Sequence, residues 1–445
     1  MIVFLADLAE QLDAVAPQLT SDLLDQAGTC VLDALACAYG GQELPWVAQA
    51  RAVAGAGDNG DCTIWASGGR RAGAADAAFA NAVGSHSVLH EDTHAESRVH
   101  PGTVVVPAAL AIGERTGSSM VEVLRSIVVG YEAIAQVAAT MMTDEFIARG
   151  WRASSVFGPF GAAAAAAHLL GLDKISTVHA LGLAASFSAG ICQWAEDGST
   201  DVFFQNANAA RAGLVAALLA REGATGATAA VEGAYGLRQA FGGTRQDVDG
   251  PEIRLDRMAV SATFFKAYPS CALTQEAIDA ARQLAAQGVG SGAIVGGTIH
   301  TSSAAARYPG CDNATNLTAA ISRQMSLQFT VAAALTDGTL RPHRYSELLD
   351  PGIADLAKRV RVVVDPAADC AFPDRRMARV ELRLADGRIV SATNRPETNL
   401  ARSAVAEKFH DYSAPTLGAD VAAVVASVRN PEDCRDITEF VSLLY

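Results

Sequence analysis

The sequence predicts a mainly α protein with a smaller α+β domain: a large all-helical domain plus an α/β-sandwich lid. Three observations predict it. Up to about residue 245, apolar residues recur every three to four positions in long alanine-rich runs, the period of helices packed on helices. Near residue 250 the texture turns to alternating and β-branched runs, the period of strands. After residue 400 the helical period returns. The expected domains are therefore 1–245, joined by 400–445, for the helical part and 250–398 for the lid.

The elements follow in order. "SDLLDQAGTCVLDALACAYGG" carries apolar residues at helical spacing, a cap at Ser21 and a Gly–Gly stop. "CTIWASGG" reads as a short extended piece. "DAAFANAVGSHSVL", "HPGTVVVPAALAIGERTG", "SMVEVLRSIVVGYEAIAQVAATMM" and "ANAARAGLVAALLAREGATG" continue the helices, several closing on Gly as C-capped helices do. In the lid, "GAIVGGTIHTSS", "AKRVRVVVDP" and "RMARVELRLADGRIVSATN" read as strands. The last is a hairpin turning at Ala385–Asp386–Gly387. "CALTQEAIDAARQLAAQ" and "SLQFTVAAALTDG" are helices among them, and "GADVAAVVASVRN" restores the helical period.

The net charge is −14, from 34 basic and 48 acidic residues. Such a surface repels nucleic acid and anionic membrane, while a local basic pocket can still take an acidic small molecule. Lysine is confined to Lys174, Lys266, Lys358 and Lys408. Eight scattered cysteines make no C-x-x-C pair, and the first residues have no basic region ahead of Asp7 and Glu10. These features read as reduced thiols in a cytoplasmic protein without a membrane span. Gly55–Gly60 spells G-x-G-x-x-G, but it precedes a strand-like piece instead of opening a helix, so it reads as a polar loop.

The stretch "HSVLHEDTHAESRVHP", His86 to Pro101, holds four of the nine histidines. Its H-E-x-x-H string, with His100 at metzincin spacing, raises a zinc hydrolase using His90, His94 and His100, with Glu91 as base. The glycine that this longer motif needs is Ser97 here, and the surroundings are too polar for a buried zincin helix. A solvated loop between two helices is the bland alternative. Proton-transfer chemistry is the third reading: His as base or acid, carboxylates to orient it, and Arg to hold an anion.

At these residues the sequence resembles the MmgE/PrpD family of 2-methylcitrate dehydratases, cis-aconitate decarboxylases and iminodisuccinate epimerases. "AAFANAVGSHSVLHEDTH" with "HPGTVVVPAALAIGER", "VVGYE", "FGPFGAAAAAAHLLGLD", "ALGLAASFSAGI", "ANAARAGLVAALLAREGATG" and "KAYPSCALTQEAIDAA" follow in the family's order, almost end to end. The resemblance implies proton abstraction beside a carboxylate, with no metal and no organic cofactor, and a homodimer joined through helices such as "VVVPAALAI". It places His100, Lys266, Asp92 and Tyr268 in catalysis. Arg98, Arg152, His86, His90 and Gln275 fall to substrate binding. The chain departs from the pattern at Leu89, Val202, Gln205 and Gln275, which replace proton carriers, and at Arg152, which stands where the pattern has His. Lost proton carriers and an added arginine point to an epimerase or isomerase of a di- or polycarboxylate. The alternative is a lyase of the same family, dehydratase or decarboxylase; a member that binds without catalysing is a further one. Lys266→Ala is expected to cost turnover with little change in melting temperature. His168 and His179, in apolar helices, read as structural.

Overall fold

The computed structural model describes residues 3–55, 60–242 and 250–445. Most of the Gly55–Gly60 loop and residues 245–249 of the expected domain boundary lie outside the described residues. The chain is mainly α, with a smaller α+β part. Its helical part is built on α1 (Phe4–Val15), α2 (Ser21–Gly40), α3 (Ala74–His86), α4 (Gly102–Thr116), α5 (Met120–Ala139), α6 (Ala153–Leu169), α7 (Lys174–Ser186) and α8 (Asp201–Arg221).

The centre of this part is α6, which packs against α4, α5, α7 and α8. Every residue from Ala153 to Ala167 is buried, so small side chains on all faces are what let four helices approach it. The α5–α6 crossing is tightest at Gly130 and Gly161. A Cβ added at Gly130 would lie 2.8 Å from the Gly161 carbonyl oxygen, which explains the glycines of "VVGYE" and "FGPFGA". Thr20, not Ser21, caps α2: its hydroxyl accepts from the Leu23 N–H, and the helix stops at the Gly40–Gly41 pair as expected.

Two short antiparallel pairs interrupt the helices. One joins β1 (Cys62–Thr63) to β2 (Arg71–Ala72), and the other joins β3 (Thr93–His94) to β4 (Thr263–Phe264). The lid carries α9 (Gln275–Ala286), α10 (Leu327–Asp337) and a sheet of β5 (Ile294–Thr301), β6 (Val360–Val364), β7 (Ala378–Leu384) and β8 (Ile389–Thr393). The strand order is β6–β5–β7–β8, with β5–β6 parallel and the other neighbours antiparallel. Ala378, Val380, Leu382 and Leu384 alternate inward along β7, and α9 packs on β7 and β8 while α10 packs on α9 and β6. The β7–β8 hairpin turns where the sequence places it, with Gly387 at φ +87°. Two later helices, α11 (Val405–Leu417) and α12 (Asp420–Arg429), pack back on α2. No helix among the described residues is long and apolar enough to cross a membrane.

Candidate active site

The histidine stretch is neither a helix nor a solvated loop. α3 ends at His86, the chain turns through Leu89 at φ +51°, and β3 pairs with β4 in the register Thr93↔Phe264 and His94↔Thr263. This pairing brings Lys266, two residues beyond β4, to Glu91. Lys266 Nζ lies 2.9 Å from Glu91 Oε1 and donates to the Leu89 carbonyl at 2.8 Å. The same Glu91 oxygen is 3.2 Å from His86 Nδ1 and 3.4 Å from His100 Nδ1. The stretch is polar yet buried because its charges compensate one another.

Electrostatics fix the protonation of this cluster. Burial works to raise the Glu91 pKa, but the Lys266 ammonium and the two imidazoles outweigh it and hold the carboxyl well below its usual range. Burial lowers His86 to about 4, against the pull of Glu91. Burial and then Lys266 push His100 well below the ordinary imidazole value. Both rings are therefore neutral near pH 7. Their tautomers follow from their partners. Arg152 Nη2, which can only donate, sits 2.7 Å from His86 Nε2, so the His86 proton is on Nδ1, facing Glu91. The Asp92 carbonyl, which can only accept, is 3.0 Å from His100 Nδ1, so His100 carries its proton there and keeps a lone pair on Nε2. His86 is locked at both nitrogens; His100 is free to take a proton.

Arg98, His100, Arg152, Lys266, Tyr308 and Arg376 line one pocket where the helical part meets the lid, and no carboxylate residue lines it. Arg152 is only 5 % exposed, and its guanidinium donates to the Val202 carbonyl at 3.0 Å and to Asn206 Oδ1 at 2.7 Å. Among the described residues it has no carboxylate within ion-pair distance, nor does it pair with Asp144 or Glu145. Asp144 lies 3.6 Å from Arg98 instead. Arg376 stacks on Phe264, 3.8 Å from the ring centroid, with Nε 3.2 Å from Glu276 Oε1.

The pocket thus gathers His100, Lys266, Arg98 and Arg152, with His86 directly behind. The remaining expected residues serve its frame. Asp92 accepts from the Gly102 N–H at 3.0 Å and from Tyr131 OH at 2.6 Å, which caps α4 and leaves neither oxygen for a substrate. Tyr268 OH donates to Asp279 at 3.2 Å and accepts from Arg282 at 2.7 Å, inside the lid. The Gln275 amide accepts from the Ala267 and Tyr268 N–H groups at 3.1 and 3.0 Å and so ties the loop behind Lys266. His90 Nδ1 meets Tyr412 OH at 2.9 Å, and His94 Nδ1 meets Ser97 Oγ at 2.8 Å. With Thr93–His94 extended, His90 and His94 do not share a helical face. Among the described residues no group of three His, Cys, Asp or Glu side chains is arranged to hold a metal. His168 faces Glu122 at 3.3 Å and His179 the Gly226 carbonyl at 3.3 Å. Sequence reasoning missed Glu91 as the hub, since its letter was absorbed by the zinc string. It also missed Arg376, which nothing in "PDRRM" separates from its neighbour.

Fold and site together define a class: a helical domain and an α+β lid around a pocket lined by His100, Lys266 and three arginines. The chain belongs to the MmgE/PrpD family. Residues 5–248 match the MmgE/PrpD N-terminal domain and residues 268–430 the C-terminal domain. A cis-aconitate decarboxylase-like protein of Aspergillus oryzae is 32% identical over 226 residues, 49% of this chain and 46% of that protein. The cis-aconitate decarboxylase of Aspergillus terreus is 30% identical over 206 residues, 45% of this chain and 42% of that protein. These matches span less than half of the fungal relatives' length. The mouse cis-aconitate decarboxylase is 25% identical over 407 residues, 87% of this chain and 81% of its own.

Proposed function

We propose that the chain is an enzyme of the MmgE/PrpD type, a lyase, that acts on a small di- or polycarboxylate by moving a proton at the carbon beside a carboxylate. Arg152 carries this reading. A guanidinium buried without a counter-charge is unfavourable unless an anion completes it, and this one lines the pocket beside His100. Lys266 is already balanced by Glu91, and Arg98 and Arg376 face Asp144 and Glu276, so among the described residues the lining cation without an acid partner is Arg152, with Arg98 and Arg376 as further N–H donors beside it. These would hold the substrate carboxylates and stabilise the dianion as the carbon–hydrogen bond weakens. His100 Nε2 is the acceptor for the proton. The relatives are named for decarboxylation of cis-aconitate, which favours a lyase. Free cysteines that are nearly all buried support a cytoplasmic setting.

One observation favours an epimerase instead. Leu89 and Val202 wall the pocket with hydrocarbon where the family pattern has proton carriers, so a departing hydroxide would find fewer donors. Incubation with a panel of di- and tricarboxylates in D₂O, followed by NMR, separates the two. A lyase gives an alkene or CO₂. An epimerase puts deuterium at one inverted carbon and keeps the skeleton. A panel in which no compound changes would sink the enzymatic reading.

A further inference from the structure

Two of the four lysines are buried, Lys266 and Lys408, and both reach the same turn. Lys266 Nζ donates to the Leu89 carbonyl at 2.8 Å and Lys408 Nζ to the next one, that of His90, at 2.5 Å. Glu91 follows directly. Leu89 sits at φ +51°, a left-handed backbone that is strained for a non-glycine residue and persists only when its surroundings hold it. Lys408 lies on α11. Four residues on, on the same helical face, Tyr412 OH meets the His90 ring at 2.9 Å. The counter-charge is Asp33 of α2, 2.7 Å from Lys408 Nζ.

A buried ion pair is a poor stabiliser by itself, because desolvating both charges offsets most of their attraction. What it supplies here is direction: Asp33 fixes the ammonium, and the ammonium fixes one carbonyl. We propose that Lys408 is a positioning residue of the site, setting the 89–91 turn so that Glu91 Oε1 lies between Lys266, His86 and His100. Lys408 is not among the residues that line the pocket. The ionisable groups facing Glu91 are Lys266, His86 and His100; those acting on Lys408 are Asp33, the Cys37 thiol and Glu91 itself, with His90 and Tyr412 reached through residue 90.

The kinetic arm of the test rests on the proposed function; the spectroscopic arm does not. Lys408→Met and Lys408→Arg are compared by ¹⁵N NMR of the His86 and His100 rings, by calorimetric titration with tricarballylate, and by turnover. Lys408→Met should shift both ring signals and lower kcat by about tenfold or more, with KM and tricarballylate affinity within about threefold, since Arg98 and Arg152 are untouched. Lys408→Arg should return the ring signals and most of kcat. Should the neutral variant not fold, Asp33→Asn/Lys408→Met removes both charges together and is expected to behave alike. Unshifted ring signals in either folded neutral variant overturn the proposal, as does a Lys408→Arg protein as impaired as Lys408→Met. If the wild type converts no polycarboxylate, the functional reading has failed, and the ring signals still decide the role of Lys408.

Discussion

Removing the Lys266 ammonium leaves Glu91 buried without its nearest counter-charge, and stranding one partner of a buried pair costs on the order of 3–5 kcal/mol. Lys266→Ala is therefore expected to lose stability together with turnover. The buried pair replaces the expectation from sequence of little change in melting temperature, which gave Lys266 a role in the site without an internal counter-charge. Calorimetry checks it: a melting temperature within about 1 °C of wild type would mean the pair is dispensable. Arg152→Met removes a buried cation that has no acid partner but leaves the Val202 carbonyl, Asn206 Oδ1 and His86 Nε2 without their donor, so it should lower the melting temperature less than Lys266→Ala while KM for the polycarboxylate climbs by about tenfold or more. The depressed His100 pKa sets the pH response. The ring must be neutral to accept a proton, so kcat/KM should stay level from about pH 8 down past the usual imidazole value of about 6.5 and fall only below it. An acid limb at or above that value would move the base role to another group.

Among the elements, the start of α4 shows how a motif serves geometry. In "HPG", His100 faces the pocket, Pro101 opens the helix, and Gly102 leaves room for the cap. A Cβ at Gly102 would lie 2.7 Å from Asp92 Oδ1 and 2.9 Å from Tyr131 Oη. Gly102→Ala is expected to cost about 1–3 kcal/mol in urea denaturation, with the loss traced to the Asp92–Tyr131 bond. A neutral result would show that the cap can give way. The same region marks the limit of what the sequence makes legible. Helices with a sustained period and the β7–β8 hairpin are local patterns, and they stand in the fold where the pattern puts them. The burial of residues 86–100 is not local. It depends on Lys266, 175 positions away from Glu91. Polar letters without visible partners read as a wet loop or a zinc ligand set. Arg376 was illegible for the same reason, since only the docked lid turns it toward the pocket.

At the scale of the whole molecule, the apolar α4 that suggested a dimer is buried within the chain itself, from Gly102 to Glu114, and its composition requires no partner. A homodimer of the kind the family resemblance implies would have to use another surface. Light scattering at micromolar concentration is expected to give twice the 46.0 kDa chain mass; a monomer would count against it.

The return of α11 to α2 sets the calendar of synthesis against the calendar of folding. Phe409 meets Tyr39 edge-on at 6.2 Å between ring centroids, and Tyr39 OH donates to the Leu444 carbonyl at 3.0 Å. A ribosome emits α2 early and α11 only after every strand of the lid, so the early helices wait with an open apolar flank while the lid is made. Lys408 arrives with α11. The nascent protein therefore carries the pocket's histidine and arginines and every strand of the lid before it carries Lys408.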